Sequence, residues 1–160
     1  LTMRGSTFTL ATLNASATGN TVEYGASAAQ TVRAGTYHHL KFSTTGATNT
    51  KTLAGVITVN GDLTNTGVTL DASVTNYAVS VAGNWTNTGT YNPRFNTTTL
   101  NGGATQTITN AAGETFNNLN MTGAGSKILA GNVTINFDFT LGSALDVANN
   151  DINIRGNWDN

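Results

Sequence analysis

The sequence has few charged residues and contains no cysteine. Only 9% of its 160 residues are charged and the formal net charge is −1, whereas a soluble globular domain usually has about 25% charged residues. Since there is no basic surplus to neutralise phosphates, we expect no nucleic-acid partner. The absence of cysteine excludes a disulfide framework, a thiol nucleophile and a thiolate metal site.

Proline and long hydrophobic runs are equally scarce. Proline occurs once, and no apolar run approaches the roughly 18 residues of a membrane helix, so we expect no membrane insertion. Instead, 31 Thr, 22 Asn and 18 Gly fill 71 of the 160 positions. Thr favours strands, while Asn and Gly favour turns. The composition therefore predicts an all-β protein with short strands and many turns.

Internal repetition is the most informative feature of the sequence. A shift of 73 to 79 residues aligns matching segments in the same order. The aligned segments are 30–32 with 106–108, 40–42 with 119–121, 53–55 with 129–131, 57–60 with 133–136, 70–71 with 145–146, and 83–85 with 156–158. A shorter echo relates residues 61–67 to 83–89. Repeats within repeats predict a solenoid, with superrepeats at approximately 19–94 and 95–160 and with both chain ends inside the repeating pattern.

Nine segments alternate inward and outward residues as a strand does. They begin at Phe8, Val22, Leu40, Ile57, Val79, Thr98, Leu119, Val133 and Ile152. Their mean spacing is 18 residues, which predicts a right-handed parallel β-helix of about eight coils, four coils per superrepeat, and a rod of roughly 38 Å. An antiparallel sandwich with Asn-Gly hairpins is the alternative, but tandem similarity favours the β-helix.

Several repeated positions are predicted to be structural. They are Asn60, Asp62, Gly83, Asn84, Trp85, Val133, Asn136, Asp138, Gly156, Asn157 and Trp158. Because Asp62 recurs as Asp138, we interpret both as turn residues, with weak calcium ligation as the alternative. Trp85 and Trp158 occupy one repeat position that Leu63 fills in the shorter echo, which favours a buried slot over a sugar-stacking platform.

Residues for catalysis are sparse. His38 and His39 are adjacent, and adjacent strand residues face opposite ways, so we expect no shared metal. There are only two Glu and six Asp, whereas a polysaccharide lyase or glycosidase needs clustered carboxylates or a basic residue beside a cation. We therefore expect no catalytic, cofactor or metal site.

The segments 83–89, 106–108, 115–119 and 131–135 resemble the Asn/Thr/Gly-rich repeats of very large Bacteroidota cell-surface adhesins. This group includes gliding-motility adhesins exported by the type IX system, and the architecture is similar to that of filamentous haemagglutinin shafts. The resemblance covers about residues 19–160. It implies an extracellular stalk or adhesive fibre on a bacterial surface. Its implied partners are neighbouring repeats of the same chain and a surface polysaccharide or another cell-surface protein.

The outward strand residues bear on a second function, the binding of ice or a crystalline polysaccharide. Regular Thr rows on a flat face can match an ordered lattice. Taken as one row, however, the nine outward residues include Glu23 and Lys41, and this charged pair argues against lattice binding. A carbohydrate-active enzyme is the third alternative, and the shortage of acids argues against it.

Overall fold

The computed structural model describes residues 1–6 and 13–160, so the strand predicted at residues 8–10 lies outside the described residues. The described residues contain 22 short strands and no helix. In chain order the strands are β1 (Thr2–Met3), β2 (Thr21–Tyr24), β3 (Gln30–Val32), β4 (Gly35–Tyr37), β5 (His39–Phe42), β6 (Thr50–Leu53), β7 (Ile57–Val59), β8 (Leu63–Asn65), β9 (Thr69–Asp71), β10 (Val79–Val81), β11 (Trp85–Asn87), β12 (Thr90–Asn92), β13 (Thr97–Leu100), β14 (Gln106–Thr109), β15 (Glu114–Phe116), β16 (Asn118–Met121), β17 (Lys127–Ala130), β18 (Val133–Ile135), β19 (Phe139–Leu141), β20 (Leu145–Asp146), β21 (Ile152–Ile154) and β22 (Trp158–Asp159).

The strands stack in parallel into sheets that run along the molecule. Sheet A contains β1, β2, β5, β8, β11, β14, β17 and β20, and sheet B contains β4, β7, β10, β13, β16, β19 and β22. The third face consists of sheet C (β3, β6, β9 and β12) followed by sheet D (β15, β18 and β21). The chain passes from sheet A to the third face, then to sheet B and back to sheet A. This arrangement confirms the predicted parallel β-helix.

Each coil is longer than the sequence predicts. In sheet A, Leu40 lies beside Leu63 and Leu63 beside Trp85. The chain makes about seven coils of roughly 21 residues, not eight of 18, and the seven steps correspond to a rise of about 34 Å. The eight predicted segments that lie within the described residues are strands, but they belong to three different faces. Some of the separations between consecutive segments therefore span a whole coil and others only part of one, so their mean underestimates the length of a coil.

Equivalent strands of the two superrepeats are eleven strands apart. Trp85 in β11 corresponds to Trp158 in β22, and Ile57 in β7 corresponds to Val133 in β18. Because one coil contains three strands, a superrepeat spans three and two-thirds coils rather than the four predicted. The second superrepeat is therefore rotated by one face. Strands that lie in sheet A in the first copy have their equivalents in sheet B in the second.

Inward side chains form one hydrophobic core along the axis. Strands such as β7 and β18 are buried at both ends and half-buried in the middle, as the two-residue period of a strand requires. The largest apolar side chains in this core are Tyr24, Tyr37, Phe42, Trp85, Phe116 and Phe139. Val133 is also buried, and its strand neighbours are Glu114 and Ile152. The inward residues hold the coils together through buried apolar area, worth about 25 cal/mol per Å².

Candidate functional site

Side chains that lead into sheet A form a ladder of hydrogen bonds to the next coil. The Nδ1 atom of His39 accepts a bond from the backbone N–H of Asp62 at 2.9 Å. The Oδ1 atom of Asp62 accepts one from the backbone N–H of Asn84 at 2.7 Å, and Oδ1 of Asn84 accepts one from Thr107 at 2.9 Å. Each side chain therefore satisfies a backbone donor of the coil above. Asp62 and Asn84 therefore have a structural role, because their side chains hold the next coil in place.

The second superrepeat places an equivalent ladder beside sheet B. The Oδ1 atom of Asn118 accepts a bond from the backbone N–H of Asp138 at 3.2 Å. The Oδ1 atom of Asp138 accepts one from Nδ2 of Asn157 at 3.0 Å. Asn118 replaces His39 because both side chains present an acceptor to the coil above. Asp62 and Asp138 lie beside different sheets and do not form a carboxylate pair.

Two repeated glycines lie where successive coils touch. A Cβ atom on Gly83 would collide with the Gly61 carbonyl group, and one on Gly156 would collide with the Phe137 carbonyl group. The repeated asparagines Asn60 and Asn136 directly follow β7 and β18. Asn60 is exposed, while Oδ1 of Asn136 accepts a bond from the Arg155 guanidinium at 2.9 Å. The two glycines and Asn136 therefore contribute to coil stacking.

His38 and His39 contact each other, which corrects the expectation that they face opposite ways. Their ring centroids are 4.2 Å apart and the rings meet edge to face. The cause is that His38 lies between β4 and β5 instead of inside a strand. Even so, the described residues contain no group of three or more His, Asp or Glu side chains that could hold a metal ion.

Trp85 is buried and is hydrogen-bonded to a carboxylate. Its indole Nε1–H donates to Oε2 of Glu114 at 2.7 Å, and its ring meets Tyr91 and Phe116 edge to face at 4.9 Å and 5.4 Å. Asn87 Nδ2 donates to the same Glu114 oxygen at 2.8 Å. Burial raises the pKa of Glu114, although these hydrogen bonds act in the opposite direction. Trp85 is thus a core residue with a buried polar partner.

A cavity of about 190 Å³ lies beside this carboxylate. It occupies the junction at which the third face changes from sheet C to sheet D, and its lining includes Thr90, Tyr91, Gly113 and Glu114. The Tyr91 hydroxyl accepts a bond from Nδ2 of Asn96 at 2.8 Å and lies 3.0 Å from the Thr98 hydroxyl. Burial raises the pKa of Tyr91. The Tyr91 hydroxyl and the Glu114 carboxylate are hydrogen-bonded to other side chains of the protein. These hydrogen bonds leave the two groups little capacity to bind a ligand in the cavity.

Trp158, the repeat partner of Trp85, is 61% exposed, contrary to the predicted buried slot. It lies in β22 at the edge of sheet B and stacks on Phe139 with a centroid distance of 6.4 Å. Among the residues that the structure describes, no strand pairs with the other side of β22. The difference from Trp85 follows from this edge position.

The sequence analysis missed two buried polar pairs. Gln30 is in register with Lys51, and Gln106 with Lys127; all four side chains are buried. Each glutamine donates through Nε2 to two backbone carbonyls of the preceding coil. The Lys51 ammonium donates to the Ala26 and Ala28 carbonyls, and burial lowers the pKa of both lysines. The repeat alignment contains these residues, but inward positions were assigned from apolar side chains alone.

Six of the seven strands of sheet B carry an uncharged outward residue in one register, and the seventh, β22, carries Asp159 there. Consecutive coils align the outward residues Thr36, Thr58, Ser80, Thr99, Asn120 and Thr140, here called the uncharged row. Glu23 and Lys41 belong to sheet A instead, so the single row assumed from the sequence mixed residues of different faces. Among the described residues, Lys41 pairs with Glu23 and Arg94 with Asp71. The first pair lies on sheet A, and the second joins the third face to the turn that leads into sheet B.

Comparison with protein-family models, with curated proteins and with solved structures finds no match. Among the described residues there is also no helix that is long and apolar enough to cross a membrane.

Proposed function

We propose that this chain is a non-enzymatic structural and adhesive segment of a long extracellular fibre on a bacterial surface. The observation that supports this proposal is continuous stacking: sheet A runs through both superrepeats as one eight-stranded sheet. A solenoid whose coils contact only their neighbours can be lengthened by adding coils without changing those already present. Neighbouring repeats of the same chain are then its first partners, and a surface polysaccharide or cell-surface protein is its target.

The distribution of acidic groups supports a non-enzymatic role. Asp62 and Asp138 accept hydrogen bonds in separate turns, Asp71 is paired with Arg94 at 2.7 Å, and Glu114 is buried against Trp85. Glycoside hydrolysis uses two carboxyl groups that flank one bond, at a separation of about 5–10 Å. Each of these four acids instead has a structural partner.

A tandem fusion of two copies tests the stalk. Joining Asn160 to Leu1 places β1 of sheet A directly after β22 of sheet B, which is the order found in every coil. Small-angle scattering should then show one rod that is longer by about 34 Å, at about 4.8 Å per coil. Two flexibly linked particles of unchanged length would contradict a stacking segment.

A screen for turnover of polysaccharides tests the absence of catalysis. The expected result is no product from any substrate. Turnover that Asp62→Asn or Asp138→Asn abolishes, while circular dichroism shows an intact fold, would overturn the non-enzymatic assignment.

A second candidate function is the binding of ice. The observation that favours it is that the charged pair lies on sheet A, which leaves the uncharged row of sheet B without a charge across six coils. A recrystallisation assay tests it directly. Unimpeded growth of ice crystals would exclude this function.

A further inference from the structure

The uncharged row of sheet B, which ends before Asp159 of β22, depends on the rotation between superrepeats. In the first copy, β2 and β5 lie in sheet A and carry Glu23 and Lys41, which pair at 3.2 Å. Their equivalents in the second copy, β13 and β16, lie in sheet B and carry Thr99 and Asn120 at the same register. Both charges are therefore absent where the rotated strands extend the Thr36–Thr58–Ser80 row.

One hydroxyl partner of the pair is retained in the second copy, so the loss of that partner does not explain the replacement. Glu23 accepts a bond from the Ser43 hydroxyl at 2.7 Å, and the repeat alignment puts Thr122 at the equivalent position. The result of the replacement is six consecutive coils with hydroxyl or amide side chains, from Thr36 to Thr140. This row is about 24 Å long at about 4.8 Å per coil.

Exposed apolar side chains lie along the side of sheet B on which the chain enters its strands. Apart from Leu1 and Trp158 in the terminal segments, the large exposed apolar residues among those described are Val56, Val74, Phe95 and Phe137, here called the apolar edge. All four lie in turns that lead into strands of sheet B. Phe95 and Phe137 precede β13 and β19, two coils apart, which is about 10 Å along the axis. An exposed apolar cluster beside polar groups is typical of an interaction site.

We propose that sheet B is a binding face for a neutral, extended polysaccharide that lies along the solenoid axis. This inference deepens the proposed function, because it names the ligand and the face of the adhesive segment. Sugar rings present both apolar C–H faces and hydroxyl groups. The C–H faces pack on the rings of Phe95 and Phe137, while the hydroxyls exchange hydrogen bonds with the uncharged row.

The charge distribution favours a neutral polymer over an acidic one. The uncharged row offers no cation to an anionic glycan, whereas a neutral glycan loses no ion hydration on binding to it. The polysaccharide is expected to lie along the solenoid axis because the residues of the uncharged row are aligned from coil to coil, along the stack.

Co-sedimentation of the full chain with insoluble cellulose, chitin and β-1,3-glucan tests the proposal. The decisive variant is Thr99→Glu/Asn120→Lys, which transfers the Glu23–Lys41 pair to sheet B at an equivalent register. The matched control is Glu23→Thr/Lys41→Asn, which removes the pair from sheet A. A further variant, Phe95→Ala/Phe137→Ala, truncates two exposed side chains and should leave the fold unchanged by circular dichroism.

We expect the wild type and the sheet A control to bind at least one of these polymers equally well. Both sheet B variants should bind at least about tenfold more weakly, which is about 1.4 kcal/mol. Equal binding by the folded sheet B variants would overturn the assignment of the face. If the wild type binds none of the three polymers, the ligand class is wrong. Inhibition of ice recrystallisation without polysaccharide binding would also overturn the ligand class. Neither failure would alter the rod length of the tandem fusion, which tests the proposed function separately.

Discussion

At the scale of single residues, the unusual feature is how many polar groups the core contains. Lys51, Lys127, Gln30, Gln106 and Glu114 are all at least 96% buried. A buried polar group is costly unless it is hydrogen-bonded. In this protein the partners are backbone carbonyls of the turns and, for Glu114, the donors of Trp85 and Asn87. Lys127 donates to Gly125 within its own coil, whereas the other four side chains connect coils through specific bonds that an apolar ladder lacks.

The buried carboxyl of Glu114 predicts a distinctive pH dependence of stability. Because burial raises its pKa in the folded state above the ordinary value of 4.5, the folded protein holds the proton more tightly than the unfolded chain. Its contribution to stability is complete below pH 4.5 and is lost as the pH rises through the folded-state pKa. The unfolding free energy of the wild type relative to Glu114→Gln should therefore fall as the pH rises from 4.5. Urea denaturation between pH 3 and pH 8 measures it.

Glu23 provides the matched control. Hydrogen bonds from Ser43 and Lys41 lower the pKa of Glu23, so its contribution to stability has the opposite sign. The wild type relative to Glu23→Gln should gain stability as the pH rises toward 4.5, with no further change above it. If Glu114→Gln and Glu23→Gln gave the same pH profile, the role assigned to burial at Glu114 would be wrong.

At the scale of elements, asparagines occupy the same position in three successive coils beside sheet A, and a hydrogen bond links the first two. Asn65 pairs with Asn87 in register, and its Nδ2 donates to Oδ1 of Asn87 at 2.9 Å. Asn110 directly follows Thr109, the strand partner of Thr86, and so occupies the next rung. Asn87 also accepts a bond from the Gly89 backbone N–H at 2.9 Å. These hydrogen bonds thus fix both the turn after β11 and the stacking of β8 on β11.

Replacing Asn87 with alanine should destabilise the fold by about 2–3 kcal/mol. The change removes the donor to Glu114 and leaves the Nδ2 group of Asn65 with one acceptor fewer in a buried site, and unmet buried hydrogen bonds cost about 1–3 kcal/mol each. Asn153→Ala, in an exposed outward position of β21, is the control and should cost less than about 0.5 kcal/mol. Chemical denaturation of both variants at pH 7 compares them. Equal stability losses would show that the hydrogen bonds of Asn87 add nothing beyond a surface asparagine.

The sequence predicted the type of strand stacking but not the phase of the coils. Alternation at Ile57, Val79 and Leu119 identifies strands because one face of each is buried. The same local pattern occurs on every face of a three-sided solenoid, so it cannot tell which face a strand joins. The uncharged row depends on that phase, and could therefore be assembled only from the strand register.

At the scale of the whole molecule, the coils differ in how deeply their inward side chains are buried. Side chains of the middle strands are buried on the inward side, as in β10, β13 and β16. By contrast, both inward residues of β21 are only half-buried, and β22 is exposed throughout. The terminal coil therefore has less buried apolar area per residue, and its last strand in sheet B has a partner on one side only.

This gradient predicts how amide protection varies along the rod. Because local opening needs less free energy where fewer apolar contacts and fewer ladder hydrogen bonds are lost, hydrogen exchange should be fastest near residues 1–18 and 150–160. It should be slowest between about residues 57 and 135, where every strand except β12 and β15, the end strands of sheets C and D, pairs with strands of the coils on both sides. Exchange followed by mass spectrometry measures this at peptide resolution. In the tandem fusion, the coil that ends in β22 gains a neighbour at the junction, so its protection should rise toward that of the middle coils while the free ends stay unprotected. Uniform protection in the single copy, or a junction that exchanges as fast as a free end, would show that coil-to-coil stacking does not determine local stability.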